Sequence, residues 1–462
     1  MSSQPAAVVL AGFSSTLNLG DIPPRVVEIG AQHMLDVLGA GLAGAGIGSA
    51  DHALTVGIAQ GGTPESSVIG CETRLPAPLA AFVNGTLSHA LEFDDTHEGA
   101  IAHVSAVVAP AALAASEAHG ASGADALVAY IAGVEVIGRL GVAAKGLYAR
   151  GFHPTSVLGV FGATAAAARA CGADQTTTVN ALGIAGSFAS GLFAYLDDGS
   201  ATKPLHAGWA AQAGVYAVSL ALAGATGPAR VIESRFGLFS SHLDQQPDLA
   251  PRLDDLGEIW ESELVSMKAY PACHFIHAPV AQAADLIEGA SLTPSDIESI
   301  VVAIPDQGVG LVLDPIKAKY SPRTSPDAKF SLPYCLATRV ITGRLDVLSF
   351  DLEAITNQEV LSLARRVTAR PWGDSPAPSQ FAGQVEIITT NGERLSSLAS
   401  GPPGIPSLRM SPEEVFAKYS RNATLLLDQA AAEHLGVSML ALKDQRDIGA
   451  LLEAVRVARG NL

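Results

Sequence analysis

Charge is scarce in this chain: Asp, Glu, Lys and Arg make up 16% of 462 residues, against roughly 25% in an average soluble domain. Aromatic residues are 5%, and none of the few lysines precedes Lys145. Basic residues number 28 against 45 acidic ones, a net charge of -17. Nucleic acid and anionic membranes are bound through basic patches, so both are excluded as partners and a small ligand is expected. At 48% apolar residues, the bulk of the chain is too hydrophobic for disorder. So little charge on so long a chain implies that much surface is hidden, in a large core or between subunits.

Clustered cysteines are missing too. Cys71, Cys171, Cys273 and Cys335 are far apart, which excludes a zinc ribbon or a sequence-local iron–sulfur motif and suits reduced thiols in a cytosol. The start has no basic stretch before Arg25, so a secretory signal is not expected. No GxxxxGK[ST], GxSxG or HExxH occurs, which removes the familiar phosphate loop, hydrolase elbow and zinc-protease helix. Two uncharged runs, Gln175 to Leu196 and Pro204 to Ala229, are long enough to span a bilayer. They consist largely of Ala, Gly, Ser and Thr with Gln and His inside, and read as buried helices instead.

What remains is helical texture. Helices are expected over 26–42, 76–92, 105–119, 123–147, 155–171, 175–192, 205–223 and 228–236, with Asp174 and Thr226 at N-cap positions and Pro154, Pro204 and Pro228 near helix starts. Near residue 270 the pattern changes. A helix at 275–290 precedes a β-rich run at 298–304, a long loop at 305–326 and a helix at 328–343. Strands are expected at 365–370, 383–389 and 393–399, the last two joined through Asn391-Gly392, a hairpin signal. Residues 411–459 return to helix. The fold predicted is mainly α: a large helical domain from residues 1–267 and 405–462, with a smaller α+β domain, 268–404, inserted.

Lys203 lies between Asp197-Asp198-Gly199 and a long apolar run. It either counters those aspartates or supplies a cation for an anionic substrate. Lys268, beside Tyr270-Pro271, has the same two readings. His97, His103 and His153 fall at loop–helix junctions, where an imidazole can serve as a base near pH 7 or simply satisfy backbone groups. Asp94, Asp95, His97 and His103 are types that ligate metals, but without HxH or HxxxH spacing they read as a cap or turn.

Taken in order, Asn84-Gly85, His89-Ala90-Leu91-Glu92-Phe93-Asp94-Asp95-Thr96, His153-Pro154-Thr155-Ser156, Thr202-Lys203-Pro204, Lys268-Ala269-Tyr270-Pro271 and Ala328-Lys329-Phe330-Ser331 resemble the MmgE/PrpD family. The resemblance implies a helical domain with an α+β lid, a homodimer, and a lyase that needs no metal or organic cofactor. It implicates His103, His153, Lys203, Lys268 and Tyr320 in catalysis on a small anionic carboxylate, with Glu92, Asp94 and Thr96 in its binding. Glu92, where many members have aspartate, and Val104, where proline is usual, depart from the pattern. Dehydration and decarboxylation are the expected reactions; epimerisation of an imino- or amino-dicarboxylate is the alternative.

Overall fold

The computed structural model describes residues 4–197, 199–373, 377, 379 and 381–457. The fold is mainly α, and the chain divides into two compact units. The larger comprises 1–90, 94–266 and 411–462; the smaller comprises 91–93 and 267–410.

The larger unit runs through α1 (Ala6–Thr16), α2 (Pro24–Gly46), α3 (Asp51–Gln60), the strands β1 (Ser66–Val68) and β2 (Cys71–Leu75), and α4 (Ala77–His89). The short strand β3 (Thr96–His97) follows, then α5 (Ser105–Ala118), α6 (Gly123–Ala143), α7 (Gly146–Ala149), α8 (Pro154–Val157), α9 (Gly159–Ala170), α10 (Gln175–Ala185) and α11 (Lys203–Leu222). Caps fix several starts. The Ser122 hydroxyl accepts the Asp125 amide of α6, and the Asp174 carboxylate accepts the Thr177 amide of α10 at 2.8 Å. Small residues then let the helices approach closely. Where α4 crosses α11, a Cβ on Gly208 would stand 2.4 Å from the Phe82 carbonyl, and one on Gly85 would stand 3.0 Å from the Gly208 Cα. That approach fixes the ends of both helices, which carry His89 and Lys203.

α6 is long and apolar enough to cross a membrane by composition, but it packs on α5 and α9 and most of it is buried in this unit. Apart from Asp125 and the buried Glu135–Arg139 pair it is apolar, and it lies in the core of this unit. Among the described residues none of the four cysteines forms a disulfide.

The smaller unit holds a four-stranded sheet in the order β6-β5-β7-β8, from β5 (Ile297–Ala303), β6 (Val367–Ala369), β7 (Gln384–Thr389) and β8 (Arg394–Ser396). β5 runs parallel to β6 and antiparallel to β7. Val385 and Ile387 on β7, with Ile300 and Val302 on β5, turn into a core that the helices His277–Gly289 and Leu332–Thr342 complete. The β7–β8 connection is closed by the Thr389 amide on the Glu393 carbonyl at 2.9 Å, with Gly392 at φ +87°, as Asn391-Gly392 requires.

Several expectations are corrected. Residues 228–236 form turns instead of a helix, so neither Thr226 nor Pro228 starts one. Gly227 is wedged against the backbone of α10, where a Cβ would meet the Asn180 carbonyl at 2.3 Å. Tertiary contact therefore decides that segment. The expected loop at 305–326 contains the short helices Asp306–Val312 and Ile316–Lys319. The helices expected over 123–147 and 175–192 end at Ala143 and Ala185.

Candidate active site

β3 pairs antiparallel with β4 (Val265–Ser266), Thr96 opposite Ser266 and His97 opposite Val265. Between Thr96 and His103 the chain folds back on itself. The His97 amide donates to the Ala102 carbonyl at 2.8 Å, while the His97 ring accepts the Ala100 amide on Nδ1 at 3.1 Å. That acceptance puts the ring proton on Nε2, which donates to the Glu261 carboxylate at 2.7 Å. The turn includes Ile101 at φ +52°, a left-handed conformation that costs a β-branched residue about 1–3 kcal/mol. The result is a fixed loop that presents His103.

The His103 Nδ1 lies 2.8 Å from the Asp95 carbonyl, 3.3 Å from the Asp94 carboxylate and 3.4 Å from the Thr96 hydroxyl. A carbonyl only accepts, so this nitrogen carries a proton. His89, at the end of α4, places its Nδ1 2.8 Å from the same Asp94 oxygen. Burial opposes ionisation of Asp94, yet the His89 and His103 rings outweigh it and hold its carboxyl well below the usual range. One anionic carboxylate therefore orients two imidazoles. Each is left with Nε2 as its exchangeable nitrogen, the arrangement of a histidine base with its orienting acid.

His153 precedes α8 and is buried, its ring centroid 5.8 Å from that of His89 and 6.3 Å from that of His103. Its Nδ1 is 3.1 Å from the Nδ1 of His206, one turn along α11 from Lys203. Burial, then the Lys203 charge, push His153 well below the usual imidazole range; burial, His89 and Lys203 bring His206 down to about 4. Both rings are neutral near pH 7. Phe193 and Tyr195 flank His153 at 5.3 and 6.4 Å.

Beneath the cluster, the Asp95 carboxylate accepts the Ser105 amide at 3.1 Å and the Ser105 hydroxyl, which also meets the Tyr130 hydroxyl at 2.6 Å. Burial pushes Asp95 up to about 7. A carboxyl raised this far is protonated in the fold while already ionised in the unfolded chain, so its contribution to stability falls as pH rises from about 4 to about 7. Asp95→Asn is expected to lack that slope. Its melting temperature relative to the parent should climb across this window and level off above it. A difference that stays flat from pH 4 to 8 would show that Asp95 is ionised in the fold.

The larger unit thus brings together five of the residues implicated by sequence: Asp94, Thr96, His103 and His153 by contact, and Lys203 through its field on His153 and His206. In the smaller unit, buried Lys268 donates to the Glu92 carbonyl at 3.0 Å and pairs with its carboxylate at 3.3 Å. Glu92 adopts φ +57°. Tyr320 lines an open cavity of 620 Å³ in the same unit and donates to the Val367 carbonyl at 3.0 Å. Neither His89 nor His206 stood out as a site residue in the sequence. For His206 a signal was available, since it follows Lys203 by three positions on one helix face; for His89 the signal was its place at the head of the motif that runs to Thr96.

Residues 8–250 match the MmgE/PrpD N-terminal domain and residues 270–444 the MmgE/PrpD C-terminal domain. The chain belongs to the MmgE/PrpD family. Among curated relatives, it is 30% identical to cis-aconitate decarboxylase of Mus musculus, covering 96% of this chain and 92% of that protein. The Homo sapiens protein of the same name is also 30% identical, over 94% of this chain and 91% of its own. Cis-aconitate decarboxylase of Aspergillus terreus is 26% identical, over 96% and 94%. This member of the family thus matches those enzymes along nearly their whole length.

Proposed function

We propose that the chain is a cofactor-independent lyase of a small di- or tricarboxylate, with decarboxylation of cis-aconitate as the favoured reaction. The observation that carries this is the Asp94 carboxylate shared by His89 and His103, set with the Lys203 cation around neutral His153. The relatives' reaction selects the substrate class.

In that reaction the bond to one carboxylate breaks and carbon dioxide leaves. The electron pair passes into the conjugated acid as an enediolate-like anion, and one proton from the enzyme completes the product. The chain needs a cation to hold the growing charge and an acid to deliver the proton. Lys203 is the cation. His103 is the acid: Asp94 stabilises its imidazolium form, whereas His153 stays neutral and serves as a hydrogen-bonding partner. Dehydration would use the same groups in the opposite sense, a base first removing the proton beside the carboxylate. By the family resemblance, Lys268 and Tyr320 also take part in the reaction.

Proton NMR of the enzyme with cis-aconitate, 2-methylcitrate and iminodisuccinate in deuterated water tests the assignment. A decarboxylated product carrying one deuteron is expected from cis-aconitate, with EDTA leaving the rate intact. Exchange of the α-proton with an unchanged skeleton would mark an epimerase instead, and inertness toward all three would overturn the proposal.

We also propose a homodimer. Trp209 and Tyr216 are exposed two turns apart on α11, and a chain with 16% charge suits an apolar subunit interface. Light scattering should give twice the 47.2 kDa chain mass; a monomer at micromolar concentration would refute it.

A further inference from the structure

One nitrogen from each of His89, His103 and His153 lies within 4.8 Å of the other two. In His89 and His103 the Nδ1 is already committed, to the Asp94 carboxylate and the Asp95 carbonyl, both at 2.8 Å. The lone pair of each neutral ring is therefore on Nε2. His89 Nε2 is fully buried and makes no hydrogen bond, which is costly for a polar atom unless something occupies the space beside it. A carboxylate or carbonyl behind the ring is also what orients a metal-bound imidazole and raises its basicity.

We propose that His89, His103 and His153 bind one zinc-class divalent ion, each through one ring nitrogen, with water completing the shell. Tetrahedral zinc with Zn–N of about 2.0–2.1 Å sets its ligands about 3.4 Å apart, so nitrogens up to 4.8 Å apart must close by about 1.4 Å at most. Three imidazoles suit a borderline ion and not Mg²⁺ or Ca²⁺, which take oxygen. The ion would occupy the His103 nitrogen that delivers the proton, so it acts as a blocker of turnover. That consequence rests on the catalytic reading above; the binding does not.

The test is titration of chelator-treated protein with Co²⁺, read by its visible absorption, and with Zn²⁺ against a chromophoric chelator. One ion per chain with a tetrahedral Co²⁺ spectrum is expected. Affinity should fall at least tenfold in both His103→Gln and His153→Gln and stay unchanged in His434→Gln, an exposed position, with folding checked by circular dichroism. Mg²⁺ should not compete. Absence of saturable binding, or equal affinity in folded His103→Gln and His153→Gln, overturns the site. Tight Zn²⁺ binding that leaves cis-aconitate turnover unchanged would support the metal site and refute the catalytic assignment. No binding, together with loss of turnover in His103→Gln, would do the reverse.

Discussion

Lys203→Ala is expected to lower kcat/KM by about two orders of magnitude or more, the roughly 2.7 kcal/mol scale of losing one preorganised charge-stabilising group. A protein of net charge -17 should repel a tricarboxylate at long range. Exposed charges beyond about 10 Å are largely screened in 0.1 M salt, however, whereas an ion pair at about 4 Å gives about 4 kcal/mol at an effective dielectric of 20. The near cation wins. Because Lys203 is only half-buried at the first turn of α11, its loss should leave the melting temperature nearly unchanged. Lys268→Ala should cost similar activity, but through a second route as well. It strands the Glu92 carboxylate in a buried pair, a change that costs about 3–5 kcal/mol of stability. Lys145→Ala, outside the motifs, should alter neither. Steady-state kinetics beside thermal melts separate these cases; near-parental turnover in Lys203→Ala would remove the lysine from the site.

Asp94→Asn should be more severe, on the order of a thousandfold in kcat, by analogy with replacing the orienting carboxylate of a catalytic triad. The change keeps shape and volume, and the amide oxygen can still accept from both rings, but a neutral amide does not compensate an imidazolium as a carboxylate does. The two rings would lose the anionic anchor that stabilises their charged forms, although the Asp95 carbonyl still holds the Nδ1–H of His103. The accompanying signature is a pH profile: Asp94→Asn should shift the limb belonging to the proton donor toward lower pH, because the imidazolium loses its counter-charge. An unchanged rate and profile would exclude Asp94 from proton transfer.

How much of this was legible depended on whether the determinant was local. Asp174 caps a helix through its own third neighbour, and Asn391-Gly392 closes a hairpin by its own geometry, so both could be read along the chain. The β1–β2 pair, α1 and the turns at 228–236 could not. Gly227 is held out of helix by the backbone of α10, far from it in sequence. The site divides in the same way. The motif residues His103, His153 and Lys203 could be singled out one by one, but the meeting of His89 with His103 on one aspartate arises where α4 ends and a strained loop turns back. Glu261, which steadies that loop through His97, is 164 residues away in sequence, and nothing in its surroundings marks it.

The close crossing of α4 and α11 limits how this histidine cluster could be redesigned. At Gly208 even a single added carbon would collide with the Phe82 carbonyl and the Thr86 hydroxyl, 2.4 and 2.2 Å away. Any side chain there forces the helices apart and moves His89 away from His206. The crossing of those two helices is therefore closed to mutation as a means of changing substrate size. Phe193 and Tyr195 belong to a short 3₁₀ turn and flank His153 from outside the helical crossing. A library that varies positions 193 and 195 and keeps 85 and 208 fixed is expected to explore substrates of different bulk without disturbing the groups proposed to move the proton.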